Sequence, residues 1–389
     1  MPSRPELAQA AEALRRSLAA AALEPLAAAL DRELRRRTGD LLAGIERYRR
    51  HPYVRDLDAK PVVWQEGTTR LLDYGGVGPP LLVVPSLINR AYILDLTRET
   101  SLLRYLADSG VRPLLVDWDC PGEAERRFGL TEYVAGRLEA AADMAEEIAG
   151  APMGVMGYCM GGLLALALAQ RRRRQVKALA LLATPWSFQA ERAGHARLLG
   201  AMAAPVGLAC APLGEMPVDL LQMLFTAADP LVALRKFSRF AHLPEGPRAR
   251  HFVAVEDWLN DGVPLASPVA RECLGGWYGE DTPARGLWRI AGQAVLPRRV
   301  VQPTLVVVPG QDRIVPPESA VALAAGLPAA QRLTPALGHI GMIVGGAAPQ
   351  QVWHPLARWL VEQLGAAGSQ NRPGTLSKRR GTRSTRASP

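Results

Sequence analysis

A cysteine stands inside a tight bracket of glycines at Gly157-Tyr158-Cys159-Met160-Gly161-Gly162, and few folds accept such a stretch. Upstream, Pro152 to Tyr158 (PMGVMGY) is a short apolar run of strand length. Downstream, Leu163 to Gln170 (LLALALAQ) is a run of strong helix formers. The segment therefore predicts a strand, a sharp strained turn and a helix. Gly157 and Gly161 spare the side-chain clashes that arise where strand meets helix. Such a turn lifts the Cys159 sulfur above the sheet edge and aims the Met160 N–H, close to a helix N-terminus, at a reacting carbonyl. Two blander readings compete. One is a small buried cysteine in a glycine-rich turn. The other is a membrane helix, since Ile148 to Gln170 carries no charge and exceeds ~18 residues. Its five glycines and Pro152 fall where strand, turn and helix need them, which argues against a span.

The chain on either side repeats a βα rhythm. Trp64 to Tyr74 suits a first strand or hairpin with a turn at Gly75-Gly76. Pro80 to Pro85 (PLLVVP) and Arg112 to Trp118 (RPLLVDW) read as buried parallel strands. Thr131 to Ala149 reads as a helix with Thr131 placed to cap it, and Val176 to Thr184 as the next strand. From Trp186 to about Arg299 the rhythm stops in a region rich in Pro, Gly, Trp and Met, read as an inserted cap. The uncharged run Leu198 to Gly214 within it is expected as cap core rather than a mobile lid; Pro205 and Pro212 make it a poor span. The rhythm returns at Pro303 to Pro309 (PTLVVVP), with a further short strand near Gln331 to Thr334 and a closing helix from Gln350 to Leu364. A nucleophile between glycines at a strand–helix turn is the nucleophile elbow of the α/β-hydrolase fold. Gln311-Asp312 and Gly338-His339-Ile340 supply an acid and a histidine at the two late strand ends, in the chain order that fold uses.

The expected class is thus α/β: a mostly parallel central sheet flanked by helices, with an inserted cap or lid. The division is 1–60, one or two amphipathic helices broken near Gly39-Asp40; 61–185, first core part; 186–299, cap; 300–365, second core part; and 366–389, a disordered basic tail. At 389 residues and 48% hydrophobic the chain can bury a large core. Much of its net charge of +9 is local, with six Lys/Arg and no acid from Arg372 onward. Specific nucleic-acid recognition by the folded body is not indicated. Four scattered cysteines (Cys120, Cys159, Cys210, Cys273), without metal-ligand spacing, suit a reducing cytoplasm and no metal site. No secretory signal or transmembrane segment is expected.

The predicted chemistry is a Cys-His-Asp triad. His339 takes the Cys159 proton, Asp312 holds the imidazole tautomer, and an imidazole beside a thiol at a helix N-terminus favours the thiolate. The amides of Met160 and of Leu87 or Ile88, in the loop after the PLLVVP strand, are the oxyanion-hole candidates. An acyl-cysteine is itself a thioester, so a thiol nucleophile suits acyl-CoA donors and keeps the driving force for transfer to an alcohol.

Several segments resemble the polyhydroxyalkanoate synthases. Val84-Pro85-Ser86-Leu87-Ile88-Asn89-Arg90 with Tyr92 to Leu96, Val116-Asp117-Trp118, the Cys159 box, Gly310 to Pro317 (GQDRIVPP), Gly338-His339-Ile340 and the tryptophan-bearing Trp353 to Leu360 are similar to that family's signatures. The resemblance implies Cys159 as acyl carrier, His339 as base, and Asp312 as the residue that helps activate an incoming 3-hydroxyl. It implies (R)-3-hydroxyacyl-CoA as substrate, coenzyme A as a leaving group and no cofactor. It further implies a second synthase subunit, a homodimer and a polyester granule surface as partners. Ser86 departs from the family's second proline, and the N-terminal region is short. A rival reading is a Cys-dependent ester or thioester hydrolase, dienelactone-hydrolase-like or an intracellular depolymerase; the long insertion between Cys159 and Asp312 favours the capped synthase. A catalytically quiet granule-surface subunit is a third. Arg171 to Arg174 suit either CoA phosphates or, preferably, the helix C-terminus. His195, His242, His251 and His354 are expected as surface or packing residues.

Overall fold

The computed structural model describes residues 5–191, 193–228 and 231–369. They fall into two compact units, one holding the described residues up to 56 with 219–261, the other those of 57–218 and from 262 onward. The basic tail expected beyond 365 lies, from 370 on, outside the described residues.

The second unit is built on an eight-stranded sheet. Its strands are β1 (Val62–Glu66), β2 (Thr69–Asp73), β3 (Pro80–Val84), β4 (Arg112–Asp117), β5 (Met153–Tyr158), β6 (Val176–Leu182), β7 (Thr304–Val307) and β8 (Ala330–Leu333). Their spatial order is β1-β2-β4-β3-β5-β6-β7-β8. Only β2 runs against the others, pairing antiparallel with β1 and β4, while the remaining neighbours pair in parallel. A parallel sheet must be covered on both faces, and the sequence obliges: every residue of β3 and β5 is buried. Helices α3 (Leu102–Asp108) and α4 (Glu139–Ala149) follow β3 and β4, and α5 (Met160–Arg171), after β5, is apolar all round and buried from Met160 to Gln170, as a helix enclosed on every side must be. Each fully buried leucine here contributes ~1.5–3 kcal/mol relative to exposure.

Two local expectations change. The helix before β5 opens as a π-helical stretch, Glu132–Leu138, continuing into Glu139–Ala149. Thr131 does not cap it; its Oγ1 accepts the Ala291 amide at 3.2 Å. Carboxylates take the leading amides instead, Glu132 that of Gly129 at 2.8 Å and Glu272 that of Leu130 at 3.0 Å. The run expected as cap core forms two helices, α6 (Ala193–Ala201) and α7 (Ala203–Cys210). Only small side chains on one face, Ala196, Val206 and Cys210, are buried, so the larger ones are left outside: Leu198 is 63% exposed and Leu208 79%. Ala193–Leu213, 21 residues turning at Met202, is the one stretch among the described residues long and apolar enough to cross a membrane.

The first unit is helical. Helix α1 (Pro5–Ala20) is followed by α2 (Leu23–Arg50), with α8 (Val218–Ala228, entering from the other unit), α9 (Val232–Ala241) and α10 (Pro247–Asn260) from within the insertion. The break expected near Gly39-Asp40 falls at Ala21-Ala22 instead. A helix-interior glycine costs only ~1 kcal/mol. Asp40 offsets this, pairing with Arg36 at 2.8 Å one turn earlier and with His242 at 3.0 Å. At Gly44, α2 comes so close to α9 that an added Cβ would fall on the Phe237 carbonyl. Phe240 and Phe252 stack at 4.2 Å beside buried Val253. Arg47 donates to the Phe240 carbonyl at 2.6 Å and to Leu243, filling orphan acceptors at the end of α9, and meets Glu245 at 2.7 Å. The insertion read as one cap is therefore divided, its middle third joined with the N-terminal helices.

Candidate active site

Four loops at the carboxyl ends of β3, β5, β7 and β8 carry the predicted residues, the edge where open parallel sheets bind ligands. Cys159 follows β5 with φ 55° and ψ −128°, a conformation that non-glycine residues adopt only under constraint. The constraint is visible at Gly161. A Cβ there would fall on the carbonyl of Val84, so any side chain would push α5 off the end of β3. Strand pairing continues to the nucleophile itself, since the Cys159 amide donates to the Leu182 carbonyl at 2.9 Å.

Asp312 sits after β7, with one carboxylate oxygen accepting the amides of Ile314 at 2.8 Å and Val315 at 2.9 Å. This fixes the carboxylate and leaves the other oxygen for His339 Nδ1, 2.7 Å away. Both side chains are buried. The loops bearing them are joined by Gly310 N–H to the Pro335 carbonyl and Gln311 N–H to the Leu337 carbonyl, each at 2.9 Å. Burial alone would drive the His339 pKa down. The Cys159 charge, a hydrogen bond to Asp312 and one to Cys159 outweigh it and hold the imidazole at about 10. The structure thus brings the three predicted residues together, in an arrangement suited to a thiolate–imidazolium pair.

Met160 opens α5, where no intrahelical acceptor exists for its amide. The two candidates after β3 separate. The Ile88 amide donates to Ser86 Oγ at 3.2 Å, so it is engaged within its own loop, and Leu87 stays as the candidate. Ser86, the departure from the resembled signature, is what locks this turn. The Trp118 indole N–H holds the loop's start, donating to the Pro85 carbonyl at 3.1 Å.

Sequence reasoning missed two tyrosines. Tyr158 donates its hydroxyl to the His339 carbonyl at 3.1 Å and lies 5.2 Å from the imidazole, ring to ring. Its phenol is pushed well above the usual range by burial and then by the charges of Cys159 and Asp312. Tyr278, from a π-helical turn in the insertion (Glu272–Gly279), packs edge-on against Phe188 at 4.9 Å. Its phenol is raised by burial and by the nearby Cys159 charge. No motif announces it. Arg171 and Arg172, at the end of α5, pair with Glu139 at 2.5 Å and Asp143 at 3.0 Å, carboxylates of the preceding helix. No group of three or more His, Cys, Asp or Glu side chains is gathered to hold a metal among the described residues.

Residues 79–346 match the model of the alpha/beta hydrolase fold, and residues 34–106 match that of the poly-beta-hydroxybutyrate polymerase (PhaC) N-terminus. Among curated relatives, a poly(3-hydroxyalkanoate) polymerase subunit from Haloferax mediterranei is 27% identical over 317 residues, 78% of this chain and 63% of that one. The corresponding subunit of Allochromatium vinosum is 28% identical over 292 residues, 73% of this chain and 81% of that one. That of Thiocystis violacea is 27% identical over 316 residues, covering 78% and 88% respectively.

Proposed function

The chain belongs to the alpha/beta hydrolase family, and from that premise we propose that it is a polyhydroxyalkanoate synthase-like acyltransferase working through a covalent acyl-cysteine. The observation that carries this reading is a thiol, in place of the usual hydroxyl, on the strained elbow within hydrogen-bonding reach of an imidazole that Asp312 holds at 2.7 Å. The Cys159 thiolate attacks the thioester carbonyl of an (R)-3-hydroxyacyl-CoA, and the oxyanion forms between the amides of Met160 and Leu87. The C–S bond to coenzyme A then breaks, and the His339 imidazolium returns its proton to the departing thiolate. Thioester has been exchanged for thioester at little cost. In the second half the 3-hydroxyl of another unit attacks the acyl-cysteine. His339 removes the hydroxyl proton, Asp312 stabilises the imidazolium, an ester bond forms and the Cys159 thiolate leaves.

Coenzyme A is a leaving group on this reading, and no metal or other cofactor takes part. The relatives' names, which describe polymerase subunits, support the substrate class and a second subunit as partner. A homodimer and a granule surface belong to the same proposal, with the protein in the cytoplasm. The exposed leucines of α1, α2 and Ala193–Leu213 are apolar surface of the kind such contacts cover. The test is intact-protein mass spectrometry after brief exposure to (R)-3-hydroxybutyryl-CoA. An acyl adduct on the Cys159 peptide, absent from Cys159→Ala, supports the reading; CoA release without an adduct on Cys159 overturns it.

A further inference from the structure

A second constellation occupies the same sheet edge beside the triad. Asp119, two residues past β4, holds φ 56°, a left-handed backbone that a non-glycine residue keeps only when its surroundings enforce it. Its side chain explains the enforcement. Asp119 Oδ1 accepts from Arg90 Nη1 at 2.5 Å and from the Cys120 amide at 2.8 Å, and Oδ2 accepts from Arg70 Nη2 at 3.3 Å. Arg70, on β2, is itself anchored to Asp117 at 2.6 Å, so the carboxylate is tied to the sheet through two elements. Arg90 ends the loop that carries Leu87, and its other amine lies 3.4 Å from Cys120 Sγ. At the loop's start Trp118 grips the Pro85 carbonyl. On its far side Asn89 bridges to Gly262.

We infer that the Arg90–Asp119 pair is a positioning device for the oxyanion loop, holding residues 86–90 so that the Leu87 amide stays aimed at the acyl oxygen on Cys159. This rests on the acyl-transfer reading of the site. The assignment of strain fits: the one residue forced into a left-handed conformation at the end of β4 is the one that must reach the loop after the neighbouring strand, β3. The pair acts through the backbone of the loop and touches no reacting atom.

Asp119→Gly tests this without endangering the fold, because glycine adopts the observed φ freely. Deleting an oxyanion donor outright slows enzymes by about 10²–10³. Loosening the loop is expected to slow single-turnover acylation of Cys159 by (R)-3-hydroxybutyryl-CoA by about tenfold or more, with the half-saturating concentration within about twofold of wild type. Asp119→Asn, which keeps a hydrogen-bonding side chain and tolerates the left-handed region, should fall between. Alkylation of Cys159 by iodoacetamide builds no oxyanion and should proceed at the wild-type rate in both variants. Wild-type acylation in Asp119→Gly, or acylation and alkylation slowed alike, overturns the inference. If wild-type protein itself forms no acyl-enzyme, the parent reading fails. Amide hydrogen exchange over 86–90 then decides separately: faster exchange in Asp119→Gly supports the clamp, and unchanged exchange refutes it.

Discussion

At the scale of single residues, His339 couples the site to pH. Its pKa is raised to about 10 from an ordinary value near 6.5, so its protonated form stabilises the fold. That contribution is fully present below the unfolded value and is lost as pH rises through about 10. The gap in thermal midpoint between wild type and His339→Gln should therefore be widest below about 6.5 and close as the pH approaches 10; a gap that widens with pH would show the sign to be wrong. Cys159→Ser keeps the elbow and should fold normally, but it replaces a thiolate with a hydroxyl of far higher pKa. CoA release should fall by about 10²-fold or more, measured by thiol titration. The triad was legible in the sequence because Cys159 and Asp312 follow short apolar strands, while His339 is flagged by its preceding glycine and by chain order. The choice of Leu87 over Ile88 was not, since it turns on a hydroxyl two residues back, and Asp119 was not, since its partners come from two other loops.

Among the elements, the contact of α2 with α9 is set by close approach rather than by bulk. Gly44→Ala gains helix propensity of ~1 kcal/mol, yet its Cβ would meet backbone, which cannot rotate away. The two helices must part around Phe240 and Tyr48, and overpacking of this kind costs ~1–3 kcal/mol. Urea unfolding should show net destabilisation; a more stable variant would mean the helices are not held this closely. Here the sequence was least informative. The periodicity of residues 23–50 signals an apolar stripe but not its partner, which lies some two hundred residues away in the insertion. Gly39-Asp40 looked like a helix end because glycine and aspartate usually mark one, and the pairing of Asp40 with Arg36 along the helix and with the distant His242 overrode that preference. The inner strands were legible because strands buried on both faces read as unbroken apolar runs bounded by proline or glycine; the outer strands β1, β2 and β8 carry polar side chains and rested on neighbouring turns and on the βα rhythm.

For the whole molecule, burial divides positions that composition alone makes look alike. Leu164 on α5 is fully buried, and Leu164→Ala should cost ~2–5 kcal/mol. Leu208, in an equally apolar stretch, is 79% exposed, and Leu208→Ser should change stability by no more than ~0.5 kcal/mol. Comparable losses at the two sites would place Leu208 in a core. Both stretches read as uncharged runs, so hydropathy could not separate an enclosed helix from an exposed one; the small residues on the buried face of 193–213 were the only hint. The central claim is that the family's hydrolase scaffold here transfers acyl groups to hydroxyl groups rather than to water. The most direct measurement gives purified protein (R)-3-hydroxybutyryl-CoA and follows CoA release while the product is separated into polymer and free acid. The account predicts CoA release with polyester, or oligomer held on Cys159, and neither from Cys159→Ala; free 3-hydroxybutyrate as the sole product would contradict it.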